Sequence, residues 1–253
     1  MSNDPMHQFH IEPVSWLPPL HIAGYDVSFS NASLFMVAGV AAASAFMVQA
    51  ISRKALVPGR WQTAAETTYS FIHSMVKDNA GEEGVKRFFP FVFTLFMFIF
   101  MSNMLGMFPY WFATTSQIVV TATMALMVFA TVLVVGFAKN GLHFFKLFVP
   151  SGVPWYILPF VVLIEIISFF SRPLSHSVRL WANIFAGHVL LKVFASFVPM
   201  LAGAGALGIA GSLLPLAMTT ALYALEFLVA FLQAYVFAML TTLYLNDALH
   251  PGH

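Results

Sequence analysis

Ionisable side chains are scarce in this sequence, and those that interrupt its apolar stretches are concentrated in residues 171–191, SRPLSHSVRLWANIFAGHVLL. There Arg172, His176, Arg179, Asn183 and His188 stand among leucines, valines and aromatics, with Glu165 shortly before them and Glu226 and Gln233 in the next apolar stretch. A cation at mid-membrane depth costs about 2.5–3.5 kcal/mol on insertion scales, so Arg179 is expected to have a use. Guanidinium does not deprotonate in proteins and acts as a fixed charge, whereas imidazole and carboxyl groups take up and release protons. A fixed cation beside proton-exchanging groups suits several machines, among them secondary transporters and intramembrane enzymes.

Helical spacing decides which of these groups can meet. At about 100° per residue, Glu165, Arg172, His176, Arg179 and Asn183 fall within roughly 40° of one direction, so these polar groups share one face. Glu165 and Arg172 are spaced to pair, and Arg179 has His176 and Asn183 as neighbours one turn away on either side. His188 and Lys192 lie on roughly the opposite side, about 140–180° round the helix. Glu226 and Gln233 share a stripe with Phe237 and Tyr244 on the following helix. Ordinary structural roles compete for several of these residues. Arg172, beside Pro173, reads as a member of a structural ion pair, and Lys192 can snorkel to the membrane surface. Ser175 and Ser177 can bond their own backbone carbonyls, and His176 suits packing as well as chemistry. Arg179 and Glu226 differ, since neither has an opposite charge within one turn of its own helix.

The elements that must position these groups follow from composition. Of 253 residues, 60% are hydrophobic and only 8% charged, which describes a chain solvated by lipid rather than water. The net charge of +1, without a basic run or face, gives no case for nucleic-acid binding. With no cysteine there are no disulfides, thiolate nucleophiles or cysteine-based metal sites. Residues 1–30 lack Lys and Arg, hold Asp4, Glu12, Asp26 and the prolines Pro13, Pro18 and Pro19, and read as a mature, irregular arm without a basic signal region. Spans are expected at 33–51, 88–110 and 116–137, the second ending near Pro109, with a helix over 61–78 that can lie along the interface on an apolar stripe of Ala65, Tyr69, Ile72 and Val76 or serve as an ordinary connecting helix. Apolar content then runs on through 154–197 and 207–249, longer than one perpendicular span requires. Two long, tilted helices packed as a hairpin are therefore expected across the small-residue loop LAGAGALG. Four shorter spans broken at Pro173 and Pro215 are disfavoured, because no polar loop separates the pieces. The fold class is an all-α polytopic membrane protein, one membrane domain of about five membrane helices plus one interfacial amphipathic helix. Arg53, Lys54, Arg60, Lys86, Arg87, Lys139 and Lys146 all fall on one side of that topology, which the positive-inside rule makes the cytoplasm, with the N-terminus outside and the C-terminus inside.

The segment from Leu174 to Leu191, with Ser175, Arg179, Leu180, Asn183, Ala186 and Gly187 at these spacings, resembles the signature helix of the subunit a family of F-type ATP synthases. The resemblance continues in Asn103, Leu105, Gly106 and Pro109 and in the Glu226 and Gln233 pair, and it covers nearly the whole chain. It implies a non-catalytic stator subunit held beside a rotating c-ring of small hairpins and by peripheral-stalk b-type subunits, carrying H+ through two offset half-channels and needing no metal or cofactor. Arg179 would face the ring carboxyls and separate the half-channels. Asn183, His188, Glu226 and Gln233 would line or flank the outer path, and Glu165, Ser175 and His176 the inner one. Many bacterial relatives place an acid at the position of His188 and a histidine at that of Glu226, so the pair is expected to work in either order. The setting implied is a bacterial plasma (inner) membrane, with the mitochondrial inner membrane as the alternative.

Two other classes are weighed against that resemblance. An intramembrane metalloenzyme is discouraged because His7, His10 and His21 lie in the arm, His176 and His188 point about 120° apart, and no HExxH pair occurs. A secondary transporter often shows paired interrupted helices in two repeated halves, and no such repeat is visible.

Overall fold

The computed structural model describes residues 9–14, 21–22, 25–26, 28–52, 59–108, 111–149 and 153–249. Asp4, His7, Pro18, Pro19, Arg53, Lys54 and Pro109 lie outside the described residues. The chain is all-α and polytopic. It contains α1 (Asn31–Ser52), α2 (Arg60–Gly106), α3 (Ile118–Asn140), α4 (Leu158–Ala202) and α5 (Ala206–Leu249), with short 3-10 segments at Thr114–Ser116 and Gly141–Phe148. All five α-helical segments are long and apolar enough to cross a membrane. The arm is less irregular than its prolines imply: strands β1 (His21–Ile22) and β2 (Tyr25–Asp26) pair antiparallel, and Pro13 bridges Ser30.

The expected interfacial helix and second span form one helical run, α2, interrupted at Gly81, where φ is 65°. Only glycine takes that left-handed conformation without strain, so it turns the chain where a β-carbon would resist. The two arms of α2 fold back on each other, with the Tyr69 ring 4.7 Å from Phe89 and 5.9 Å from Phe93. Ala65, Ile72 and Val76 of the apolar stripe are buried, while Tyr69 is exposed. Between α4 and α5, Gly205 at φ 91° makes the turn within the small-residue loop.

By contact density the chain divides into two compact units. The first comprises Met1–Ala43, Phe98–Gln117 and Leu180–Gln233. Its polar centre is Asn103, 2% exposed, whose Nδ2 donates to the Ala230 carbonyl at 3.1 Å while its Oδ1 accepts from the Thr115 hydroxyl at 2.7 Å. The Tyr223 hydroxyl donates to the Met107 carbonyl, and Gly106 approaches Ala113 so closely that a β-carbon there would lie 3.1 Å from Ala113 Cα. Asn103→Ala is expected to destabilise the protein by about 1–3 kcal/mol, because it leaves the buried Thr115 hydroxyl without its acceptor and removes the cross-helix bond to the Ala230 carbonyl. A lowered unfolding midpoint in detergent would register the loss; an unchanged midpoint would count against it.

The second unit comprises Ser44–Met97, Ile118–Arg179 and Ala234–His253. An aromatic cluster holds it together: Phe144 lies 4.8 Å from Phe137 and 6.2 Å from Phe169, and Phe129 lies 5.1 Å from Phe169. Phe144 reaches its place because residue 136 is glycine, where a β-carbon would come within 2.3 Å of the Phe144 ring. Lys139 Nζ is 2.9 Å from Glu83 Oε1, and Asn140 Nδ2 donates to the Ala248 carbonyl at 2.7 Å, satisfying a carbonyl at the end of α5.

Candidate functional site

The candidate residues lie on α4 and α5, and each unit presents its own set. In the second unit, Arg172 does not pair with Glu165. Its Nη1 lies 3.0 Å from Asp247 Oδ2, and its guanidinium sits 5.0 Å from the centre of the Tyr244 ring and 5.6 Å from that of Phe169. The reason is geometric: residues seven apart on a straight helix are separated by about 10 Å of rise, whereas α5 brings a carboxylate directly across. Glu165 is half-buried.

Residues counted on one face of α4 part company in three dimensions. His176 is 4% exposed, its ring centre 3.7 Å from that of Phe237 and 5.9 Å from that of Tyr244. Neither of its nitrogens has a hydrogen-bond partner among the described residues. A void of about 10 Å³ borders it, lined also by Arg172, Pro173 and Tyr244, at the lower limit for one water. Ser177 is also buried and does not turn back to its own backbone. Its hydroxyl lies 3.2 Å from that of Thr121. Ser175 and Arg179, by contrast, are exposed. Leu174 and Val178 beside them are exposed too, so Arg179 projects from a face that the protein itself leaves open.

In the first unit, His188 Nε2 lies 3.8 Å from Glu226 Oε1. The Glu226 side chain is 5% exposed and that of His188 13%. Neither Glu226 oxygen has a hydrogen-bond partner among the described residues. At 3.8 Å the two groups are beyond a direct hydrogen bond, so transfer between them requires a small approach or one bridging water. The absence of a side chain at Gly187 makes the arrangement possible, because a β-carbon there would stand 2.6 Å from Glu226 Oε1. His188 also borders a cavity of about 670 Å³ with Lys192, Trp111 and Tyr223. Asn183 and Gln233 are half-buried in the same unit. Sequence spacing did not reveal Asp247 or Gly187 as parts of these arrangements, since both act across helices rather than along one. Gly187 stands inside the signature segment, but its type alone does not name the side chain that needs the space.

Fold and site together define a polytopic α-helical membrane protein that carries an exposed arginine on one apolar helix and a buried histidine–carboxyl pair between two. The profile of the family described as ATP synthase A chain matches residues 32–246. The chain is 60% identical to ATP synthase subunit a of Agrobacterium fabrum over 253 residues, covering 100% of both chains. It is 61% identical to ATP synthase subunit a of a Chelativorans species, again over 100% of both. Against ATP synthase subunit a of Rhodopseudomonas palustris it is 58% identical over 250 residues, 99% of each chain. The chain belongs to the ATP synthase A chain family.

Proposed function

We propose that this chain is the proton-conducting stator subunit of an F-type ATP synthase, seated beside a c-ring, in contact with b-type peripheral-stalk subunits, and lying in a bacterial plasma membrane with its N-terminus outside and its C-terminus in the cytoplasm. The observation that carries the reading is the exposed Arg179, standing with exposed Leu174, Ser175 and Val178 on an α4 face left uncovered by the rest of the chain. A bare guanidinium on an apolar helix needs an anionic partner at the same depth, and a ring of membrane carboxyls supplies one at every step.

Protons arrive in the outer cavity, meet His188 at its wall and pass to Glu226, with Asn183 and Gln233 flanking the path toward the ring carboxyl. After rotation they leave toward the cytoplasm past Ser175, His176 and Glu165. Arg179 stands between the two routes. It draws an ionised ring carboxylate toward itself, favours loss of its proton, and repels a proton moving straight through. One proton crossing about 100 mV contributes about 2.3 kcal/mol, so a turn of the ring must gather several to support one ATP, and a leak past Arg179 would dissipate them all.

Purification of the affinity-tagged chain in mild detergent is expected to bring with it an oligomeric ring of small hairpin proteins. The reconstituted membrane sector is expected to conduct protons under a potassium diffusion potential, with a carboxyl-reactive carbodiimide blocking the flow. A chain that purifies without such a ring, from membranes that retain ATP synthase activity, would exclude the reading. The cross-helix geometry adds a narrower expectation. Gly187→Val should displace the Glu226 carboxyl and lower ATP-driven proton pumping about tenfold, roughly 1.4 kcal/mol in barrier, with the complex still assembled. Shortening the acid in the same chain, Glu226→Asp, should return part of the rate; pumping by Gly187→Val at the parental rate would show that the close approach is dispensable.

A further inference from the structure

The part of the arm nearest α1 is pinned to three separate elements of the first unit. The Asn31 side chain at the start of α1 donates to the His10 carbonyl at 3.0 Å and accepts from the Glu12 amide at 3.3 Å, while the Asn31 amide donates to the Glu12 carbonyl at 2.9 Å. Gln117, just before α3, donates its side-chain amide to the Phe9 carbonyl at 2.9 Å. The Phe9 ring lies 4.8 Å from Phe185 and stands edge-on to His188 at 6.4 Å, both on α4. An arm held only by chance contact would not satisfy its backbone groups with three side-chain amide bonds.

This pinning has a chemical result. His10 and Glu12 border the cavity of about 670 Å³ that also meets His188, Lys192, Trp111 and Tyr223. On the reading that this cavity admits protons, we propose that residues 9–12 of the arm form a wall and mouth of the outer path, with His10 and Glu12 as its outermost proton-collecting groups and Phe9 limiting access to the His188 ring. Both side chains are exposed, so they meet bulk water and can exchange protons with it. An imidazole and a carboxylate at a cleft mouth gather protons from a larger area than the cleft alone. Phe9 beside the next acceptor narrows the way by which they travel inward. Among the described residues, the charged and titratable groups lining this cavity are His10, Glu12, His188, Lys192 and Tyr223.

The natural chain has no cysteine, which makes the test direct. His10→Cys and Glu12→Cys are introduced singly into the intact ATP synthase, with Ala204→Cys in the α4–α5 turn as the control. Spheroplasts are treated with a bulky, membrane-impermeant sulfonate thiol reagent before inverted vesicles are made. Adducts at positions 10 and 12 are expected to lower ATP-driven proton pumping about tenfold, and the adduct at 204 to leave it within about twofold, given the scale of electrostatic capture at a cleft mouth. Complete labelling at 10 and 12 with undiminished pumping would overturn the proposal, as would failure of the reagent to reach either position from outside. Should Glu12→Cys itself slow pumping, a carboxylate-bearing thiol reagent is expected to restore it, and unrestored loss counts against the assignment. Failure of the proton path as a whole would look different, because the unmodified complex would then conduct no protons.

Discussion

Arg179→Ala is expected to stop both ATP synthesis and ATP-driven proton pumping, by about a hundredfold or more, which corresponds to at least about 2.7 kcal/mol of lost stabilisation at the limiting step. Two unit charges about 4 Å apart at an effective dielectric of about 20 interact by about 4 kcal/mol, so removing one of them is large enough to account for that loss. The substitution should leave assembly intact, because Arg179 is exposed and forms none of the bonds that hold the second unit together. Those bonds come from Arg172 with Asp247, Lys139 with Glu83 and Asn140 with the Ala248 carbonyl. Arg179→Lys is expected to recover little. An ammonium is a compact point charge that loses its proton when desolvated, whereas guanidinium keeps its charge and presents a planar fork to a carboxylate. Native gels of the variant complex and quenching of a pH-sensitive dye in inverted vesicles separate assembly from transport. Pumping at the parental rate in an assembled Arg179→Ala complex would remove the basis for the barrier role.

The second large effect concerns the His188 and Glu226 pair. Glu226 is buried and His188 largely so, they lie 3.8 Å apart, and neither Glu226 oxygen has a hydrogen-bond partner among the described residues. His188→Ala and Glu226→Ala are each expected to lower proton pumping about tenfold, and the double variant to lose little more, giving a coupling of about 1 kcal/mol or more. The exchanged chain, His188→Glu with Glu226→His, keeps one imidazole and one carboxyl across the same gap. Its pumping is expected to return to within about threefold of the parent, on the order of 0.6 kcal/mol. Independent, additive losses in the double variant would mean that the two residues do not act as one acid–base unit.

The fold class was legible in the sequence because lipid demands long uninterrupted apolar segments, and such segments declare themselves by length and lack of charge. Arg179 and Glu226 stood out in the sequence for the complementary reason that charged groups are conspicuous against that background. The partners of those groups were less accessible. Helical spacing brings Glu165 and Arg172 to one stripe, yet Arg172 meets Asp247, 75 residues away on α5, because a cross-helix neighbour is nearer than one two turns along. Spacing likewise groups His176 with Arg179. In the structure His176 turns in toward Phe237 while Arg179 stands exposed, since the angular interval between them is wide enough to straddle the edge of a packed face. The arm held the least signal. Its prolines imply an irregular segment, and nothing in FHIE at 9–12 shows that Asn31 and Gln117 will tie it down.

The close fit of Gly187 under the Glu226 carboxyl links two positions that lie 39 residues apart in the chain. A methyl gained at 187 would collide with Glu226 in this rotamer, so a larger residue at one position calls for a compensating change at the other. The two positions are therefore constrained as a pair rather than one at a time.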